Sequence, residues 1–393
     1  MPTTPDIQIE VFGKTDVGLI REHNEDNFLI ADVSAGMRSN SFAAPQTLAL
    51  GDKGVALLVC DGMGGAAAGE VAAQMAVDSV YETLAAVPPM TRDGFARALR
   101  RAVEVANEAI FIQSRDNQSE RGMGTTCTVA ALTDTTLVVA QIGDSRCYVL
   151  RQGRLAQVTK DQSLAWQLIE AGAMTAEEAK AFEHANIILQ ALGVQDQVEV
   201  VLSQVDLRQG DVILLCSDGL HGPVADEEIL DVLTTESDLK RAGQALIQKA
   251  LDRDGPDNVT VVLARFGGAA LPPPGPADVV SFVGYDPGPD PDNEVPTPMA
   301  PLAPSGGVAT VQERIPPELL QQQDEVVTKA DGDRRSAMGD FGQLPAAAPA
   351  SRSMRSVVAL FFLALIAAAV GGISVMKCER ERTATGEMRG GGP

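Results

Sequence analysis

Basic side chains are in short supply in this chain. It carries 31 Lys and Arg against 53 Asp and Glu, a formal charge of −22. Over residues 1–266 the balance is 21 − 38 = −17. Such a surface opposes nucleic acid, whose binding rests on neutralised phosphates, so no nucleic-acid partner is expected. It would also repel a phosphorylated substrate unless cations sat in the binding site. Cysteine is scarce too, with five residues and no C-x-x-C spacing, which argues against a zinc site or a disulfide framework. Cys60, Cys127, Cys147 and Cys216 lie in or beside apolar runs, as core thiols of a reducing compartment would. Met1–Glu10 lacks the basic start and apolar stretch of an export signal.

The pattern is globular up to about Phe266. Residues 267–353 are rich in Pro, Gly, Ala and polar side chains and bury too little apolar surface to offset chain entropy; they read as a disordered linker. Within it, Pro317 to Thr328 has the composition of a transient helix. Residues 357–376, VVALFFLALIAAAVGGISVM, carry no charge. At roughly 1.5 Å per residue such a run spans about 30 Å, the thickness of a bilayer core. A buried core helix would not follow a long linker, so a membrane span is the expectation. Arg352 and Arg355 precede it and Lys377, Arg380 and Arg382 follow, so charge does not set its orientation. With no export signal and with reduced cysteines, the catalytic domain is expected in the cytoplasm, leaving residues 377–393 as a short polar tail on the far side of the cell membrane.

Within the globular part, hydropathy predicts strands over Ile7–Phe12, Phe28–Ala31, Val55–Cys60, Thr125–Leu132, Thr136–Ile142, Cys147–Arg151, Val198–Val205, Val212–Cys216 and Val259–Phe266. Helices are predicted over Gly69–Ala86, Arg92–Ser114, Gln162–Glu170, Ala176–Glu183, Glu227–Leu233 and Asp238–Leu251. Thr91 suits an N-cap, and Thr175 with Glu178 makes a capping box. Tight connections between neighbouring strands point to antiparallel hairpins and a layered α+β domain.

Four acidic motifs recur in order: Arg21-x-x-Asn24-Glu25-Asp26, Asp61-Gly62-Met63-Gly64-Gly65, Ser217-Asp218-Gly219 and Asp257-Asn258. Each alone is an ordinary turn or strand end. Together they offer three carboxylates, Asp61, Asp218 and Asp257, at the ends of buried strands, which suits hard divalent cations. Glycines after Asp61 would let the chain turn sharply and present the Gly62 carbonyl as a further ligand. Two cations held this way can bridge one water and lower its pKa toward neutrality. Arg21 with Glu25 is either a surface ion pair or a phosphate fork, with Glu25 or Asp26 in the outer shell of a metal. Asp144, in Gly143-Asp144-Ser145-Arg146, suits a supporting role through metal-bound water or a nearby turn.

These motifs, with Gly122-Met123-Gly124-Thr125-Thr126 and Asp257-Asn258-Val259-Thr260, resemble in order and spacing the metal-dependent protein phosphatases, the PPM or protein phosphatase 2C type, and their bacterial members in particular. Thr159–Leu164 through Ile188–Gly193 looks like that family's mobile flap. The resemblance covers nearly all of residues 6–266. It implies a four-layer αββα sandwich of two antiparallel sheets flanked by helices, with a two-metal centre of Mn²⁺ or Mg²⁺ that removes phosphate from phosphoserine and phosphothreonine. Carried onto this chain, Asp61 bridges both metals and the Gly62 carbonyl binds one. Asp218 and Asp257 complete the other, Glu25 and Asp26 act through water, and Arg21 holds the phosphate.

The chain departs from the family pattern at three points. Met63 replaces a histidine proposed as general acid in eukaryotic relatives, which leaves solvent held by metal as the proton donor. Arg121-Gly122 stands where bacterial relatives place an Asp for a third metal, and only Glu120 lies near. Gln162 and Ala185 replace a histidine and a proline of the flap. The function expected is a membrane-anchored serine/threonine phosphatase acting on phosphoproteins and opposing Ser/Thr protein kinases. The alternatives are a catalytically silent phosphatase-like binding module, which predicts loss of a metal carboxylate, and a scaffold built on the linker and anchor.

Overall fold

The computed structural model describes residues 6–64, 68–180, 182 and 187–288. Thirteen strands occur among them. The first five are β1 (Gln8–Asp16), β2 (Asp26–Asp32), β3 (Met37–Ser39), β4 (Gln46–Ala49) and β5 (Val55–Met63). The middle five are β6 (Gly124–Thr125), β7 (Cys127–Thr133), β8 (Thr136–Ile142), β9 (Arg146–Arg151) and β10 (Arg154–Gln157). The last are β11 (Val201–Asp206), β12 (Val212–Cys216) and β13 (Val259–Gly267). The helices are α1 (Ala68–Ala86), α2 (Arg92–Asp116), α3 (Leu164–Glu170), α4 (Ala176–Lys180), α5 (Asp218–His221), α6 (Asp226–Thr235) and α7 (Leu239–Leu251).

Two antiparallel sheets form, one ordered β10-β9-β12-β13-β1-β4 and the other β11-β8-β7-β5-β2-β3, with β6 continuing the pairing of β5. The period of two along each central strand divides its side chains between two cores. On β5, Ala56, Leu58 and Cys60 pack with α1 and α2, while Val55, Leu57 and Val59 meet the other sheet. On β12, Ile213 and Leu215 face between the sheets, and Val212, Leu214 and Cys216 face α6 and α7. Helix, sheet, sheet and helix therefore stack as layers. Buried on both faces, the central strands read in sequence as unbroken apolar runs. The helices show the matching 3.6-residue pattern, with Phe95, Leu99, Ala102, Val103, Ala106 and Ile110 along the buried stripe of α2.

The structure places Thr91 as N-cap of α2, its hydroxyl accepting from Gly94 N, and forms the Thr175–Glu178 box. β12 runs over the predicted residues. Several boundaries shift, and four differences bear on the layout. β5 does not stop at Cys60 but runs to Met63, because Asp61 pairs with Asp26 while Gly62 and Met63 pair with Thr125 and Gly124. The predicted strand at 125–132 breaks at Thr126 into β6 and β7. Short β3, β4 and β10, too polar to show alternation, are additional. Asp218 lies not in a plain turn but at the first position of the one-turn helix α5.

The domain also extends past Phe266. Residues 268–288, assigned to the linker from composition, lie back on the domain: Leu271 is buried, Arg208 pairs with Asp278, and Ser203 bridges to Gly284. Proline and glycine made this stretch look structureless, yet Leu271 is buried and Ala270, Val280 and Tyr285 pack against the cores. Cys60, Cys127, Cys147 and Cys216 are buried free thiols. Among the described residues no helix is long and apolar enough to cross a membrane. The remaining linker from residue 289, Val357–Met376, the polar tail, Gly65 and Ala185 lie outside the described residues.

Candidate metal and phosphate site

At one end of the sandwich, the ends of β5, β8 and β12 and the starts of β2 and β13 surround an open cleft of about 530 Å³. Arg21, Glu25, Asp61, Gly62, Asp144, Asp218 and Asp257 all line it, from segments up to 236 residues apart. Sequence reasoning therefore named residues that the fold does bring together. Asp26 is the exception, standing behind the cleft wall.

Asp61 is held by its backbone. Its N–H donates to Thr126 Oγ1 at 2.9 Å, and its carbonyl accepts from Thr126 N at 2.8 Å and Thr125 Oγ1 at 2.9 Å. Thr126 Oγ1 in turn meets Ser145 Oγ at 2.8 Å. Gly62 answers a packing need rather than a turn. A Cβ there would stand 2.2 Å from the Gly69 carbonyl oxygen and 2.6 Å from that of Glu25, so only glycine lets β5, α1 and the Glu25 loop meet. The same reason holds at Gly219, where a Cβ would lie 2.0 Å from Asn258 O and push α5 off the start of β13.

Asp218 opens α5 and lines the same cleft as Asp61. Asp257 accepts from Arg21 Nη2 at 2.7 Å, and its other oxygen accepts from Asn258 N at 2.8 Å. Asn258 then organises the Arg21 loop. Its Oδ1 accepts from Glu25 N at 2.7 Å, and its Nδ2 donates to the carbonyls of Val17 and His23, each at 2.9 Å. Glu25 sets its carboxylate against Gly69 near the start of α1, the end of a helix that favours negative charge.

Asp26 ties the two sheets behind the cleft. Its Oδ2 accepts from Ser217 Oγ and Thr260 Oγ1, each at 2.7 Å, and Thr260 N donates to Ser217 Oγ at 3.0 Å. It thereby holds the neighbours of Asp218 and Asp257. The sequence assigns no role to Asn258, Thr126, Ser145, Ser217 or Thr260, since polar residues beside a carboxylate give no sign of which distant group they hold. Glu120 does not line the cleft and accepts from Gln113 Nε2 at 2.8 Å. Met63, His23 and Ile188 also line the wall. Gln162 of the flap steadies Asp144 by accepting from Gly143 N at 2.8 Å.

The electrostatics are those of crowded like charge. Burial pushes Asp61 well above the usual carboxylate range, and Asp26, Asp218, Asp144 and Asp257 push further. Burial and then the Asp218 charge raise Asp144 to about 7, and burial raises Asp26 to about 7 against its two hydroxyl donors. Asp218 is raised by burial and by Asp257. Oδ1 of Asp218 and Oδ1 of Asp26 are buried without a hydrogen-bond partner. Hard oxygen donors, mutual repulsion and orphaned carboxylate oxygens fit divalent cations, which would remove the last two costs at once. Among the described residues no three such side chains are already drawn into a closed cage. Arg21 instead occupies Asp257.

Residues 46–262 match the family model described as protein phosphatase 2C. The chain belongs to the protein phosphatase 2C family. It is a phosphatase by that membership, as its six motifs implied, and the layered α+β fold agrees. A serine/threonine phosphatase stp of Listeria welshimeri is 36% identical over 256 residues, covering 64% of this chain and 94% of that protein. The serine/threonine protein phosphatase PstP of Mycobacterium tuberculosis is 39% identical over 252 residues, covering 64% of this chain and 44% of that longer protein. A crystal structure of the catalytic domain of PstP in complex with 2 manganese ions superposes with a TM-score of 0.55 at 35% identity, covering 66% of this chain and 99% of that one.

Proposed function

We propose that this protein phosphatase 2C domain hydrolyses phosphoserine and phosphothreonine in phosphoproteins, using divalent cations held by Asp61, Asp218, Asp257 and the Gly62 carbonyl. One observation carries the reading: the cleft gathers half-buried, mutually repelling carboxylates and sets one guanidinium at their edge. Bound Mn²⁺ or Mg²⁺ would supply positive charge to the phosphate and lower the pKa of the attacking water.

The chain's own residues do the rest. Arg21, about half exposed at 52%, can exchange the Asp257 carboxylate for two phosphate oxygens, since its fork fits both anions. Asp26, through Ser217 and Thr260, keeps the ends of β12 and β13 in register, so that Asp218 and Asp257 face one cleft. Thr126 and Ser145 do the same for Asp61. Met63 supplies no proton and leaves that part of the wall apolar. No residue of the proposed metal set has been lost, which disfavours a silent binding module.

The run 357–376 supports a tether to the cell membrane, with the catalytic domain in the cytoplasm. There the enzyme would oppose Ser/Thr protein kinases, the tether raising its concentration near membrane-bound partners. Hydrolysis of a phosphothreonine peptide by the purified chain should require Mn²⁺ or Mg²⁺ and stop with chelator; turnover that survives chelation would exclude the mechanism. Fractionation of cells should leave the full chain with membranes and a chain ending at Gly288 in the soluble fraction.

A further inference from the structure

Beside the acidic cleft lies a small second cavity of about 60 Å³, and Met63 and Ile188 form a wall common to both. Leu189, Ala191, Val194 and Val198 make up the rest of its apolar lining. Leu189 and Val194 are 41% and 49% exposed, large apolar side chains that the neighbouring core does not cover. Exposed apolar surface gathered next to a reaction cleft marks a place where something docks.

The backbone under this cavity is firmly held. Leu192 N donates to Thr125 O at 2.9 Å and Thr125 N to Leu192 O at 3.2 Å, which fastens the segment to β6. Gly193 N donates to the Oδ1 of buried Asn107 at 2.8 Å, and Asn107 Nδ2 donates to Gln195 O and Asp196 O. At the other end, Leu189 N donates to Gln162 O at 2.7 Å. An apolar pocket preformed in this way binds without first ordering its own loop.

We infer that this cavity takes an apolar side chain of the phosphoprotein substrate, one close in sequence to the phosphorylated residue. The inference rests on the acidic cleft being the phosphatase site. Two features name the occupant. The shared wall lets a peptide with its phosphate in the cleft leave over Met63 and Ile188 and reach the cavity with its next side chains. The volume and lining suit a branched aliphatic such as Val or Leu, while an acidic side chain there would meet both apolar walls and the negative field of the cleft. Small apolar pockets discriminate by about 10-fold or more for each methylene gained or lost.

The test uses the purified full-length chain with Mn²⁺ and phosphothreonine peptides that differ only in the flanking residues, as Ala, Val, Leu or Asp. Para-nitrophenyl phosphate, too small to reach from the cleft into the cavity, is run beside them. The native enzyme should favour a Val- or Leu-flanked peptide over the Ala-flanked one by about 10-fold in kcat/KM, with the Asp-flanked peptide poorest. Val194→Asp and, independently, Leu189→Ser should bring that ratio down to about two or less. Equal kcat/KM for the Ala, Val and Leu peptides with the native chain overturns the inference, and so does a preference that survives in both variants. The peptide series on the native chain decides alone if a variant fails to fold. Loss of the underlying reading looks different: para-nitrophenyl phosphate and every peptide would go unhydrolysed.

Discussion

The two ends of β5 share one strand and meet opposite demands. From Val55 to Cys60 every side chain is buried against apolar neighbours, alternating between the helical core and the core between the sheets. One residue on, the strand carries Asp61 into the cleft, where Asp218, Asp144 and Asp257, with Asp26 behind the wall, raise its pKa. The first half stabilises the fold; the second spends stability on a charge cluster that only a cation satisfies. Substitutions at the two ends should therefore separate activity from stability.

The sharpest break is Asp61→Asn. Removing a carboxylate from the proposed metal set forfeits several kcal/mol of charge stabilisation in the transition state, so turnover with Mn²⁺ should fall by about 10³-fold or more. The same change relieves repulsion, so the melting temperature of the metal-free variant should equal or exceed that of the native chain. A large loss of stability at unchanged activity would reverse the assignment of the two ends. At the other end, Leu58→Ala empties space against α1 and α2 and should cost about 2–5 kcal/mol in denaturant titration. Turnover per folded molecule should hold within about twofold, since its transfer and cavity terms act on the fold as a whole.

pH probes the acidic end without mutation. The folded-state pKa values of Asp26 and Asp144 are raised to about 7 from 3.8. A raised pKa means that the folded form holds its proton more tightly than the unfolded one, so this stability is fully present below about pH 3.8 and is lost as pH rises through about 7. With chelator, the melting temperature should fall across that window. Saturating Mn²⁺ at pH 7 should restore it, because an ion that binds only the folded chain stabilises by mass action. A flat chelated profile would mean that these carboxylates are not crowded.

Much of this contrast could be read from the sequence because buried strands and their polar ends leave opposite traces. Unbroken apolar runs such as Val212–Cys216 located β12, and the aspartates beyond those runs located the cleft. Relations across space were not legible. Nothing local shows that Asn258 fastens the Arg21 loop, or that Asp26, adjacent in sequence to Glu25, faces Ser217 and Thr260 on the other sheet. Gly62 invited a turn because glycine is the usual turn residue, whereas here it permits the close approach of Gly69 and Glu25. Composition also misplaced the C-terminal limit of the domain, since a Pro-rich stretch gives no period for its buried side chains to follow.

That limit offers the mildest test of where stability resides. From Gly268 to Gly288 the chain buries Leu271 and pairs Asp278 with Arg208 at 2.9 Å. It also joins β11 at its edge, where Gln204 N donates to Val283 O and Tyr285 N to Leu202 O. Burying one leucine contributes about 1.5–3 kcal/mol, much of which is offset by ordering the residues around it. The pair is partly solvated and adds at most about 1 kcal/mol. A chain ending at Phe266 should therefore be less stable than one ending at Gly288 by about 1–2 kcal/mol, read as a lower denaturation midpoint. Turnover of para-nitrophenyl phosphate should match between the two, because none of the residues lining the acidic cleft lies beyond Asn258. Coincident midpoints would return these residues to the linker, while a loss of turnover at unchanged stability would mean that the segment reaches the acidic end after all.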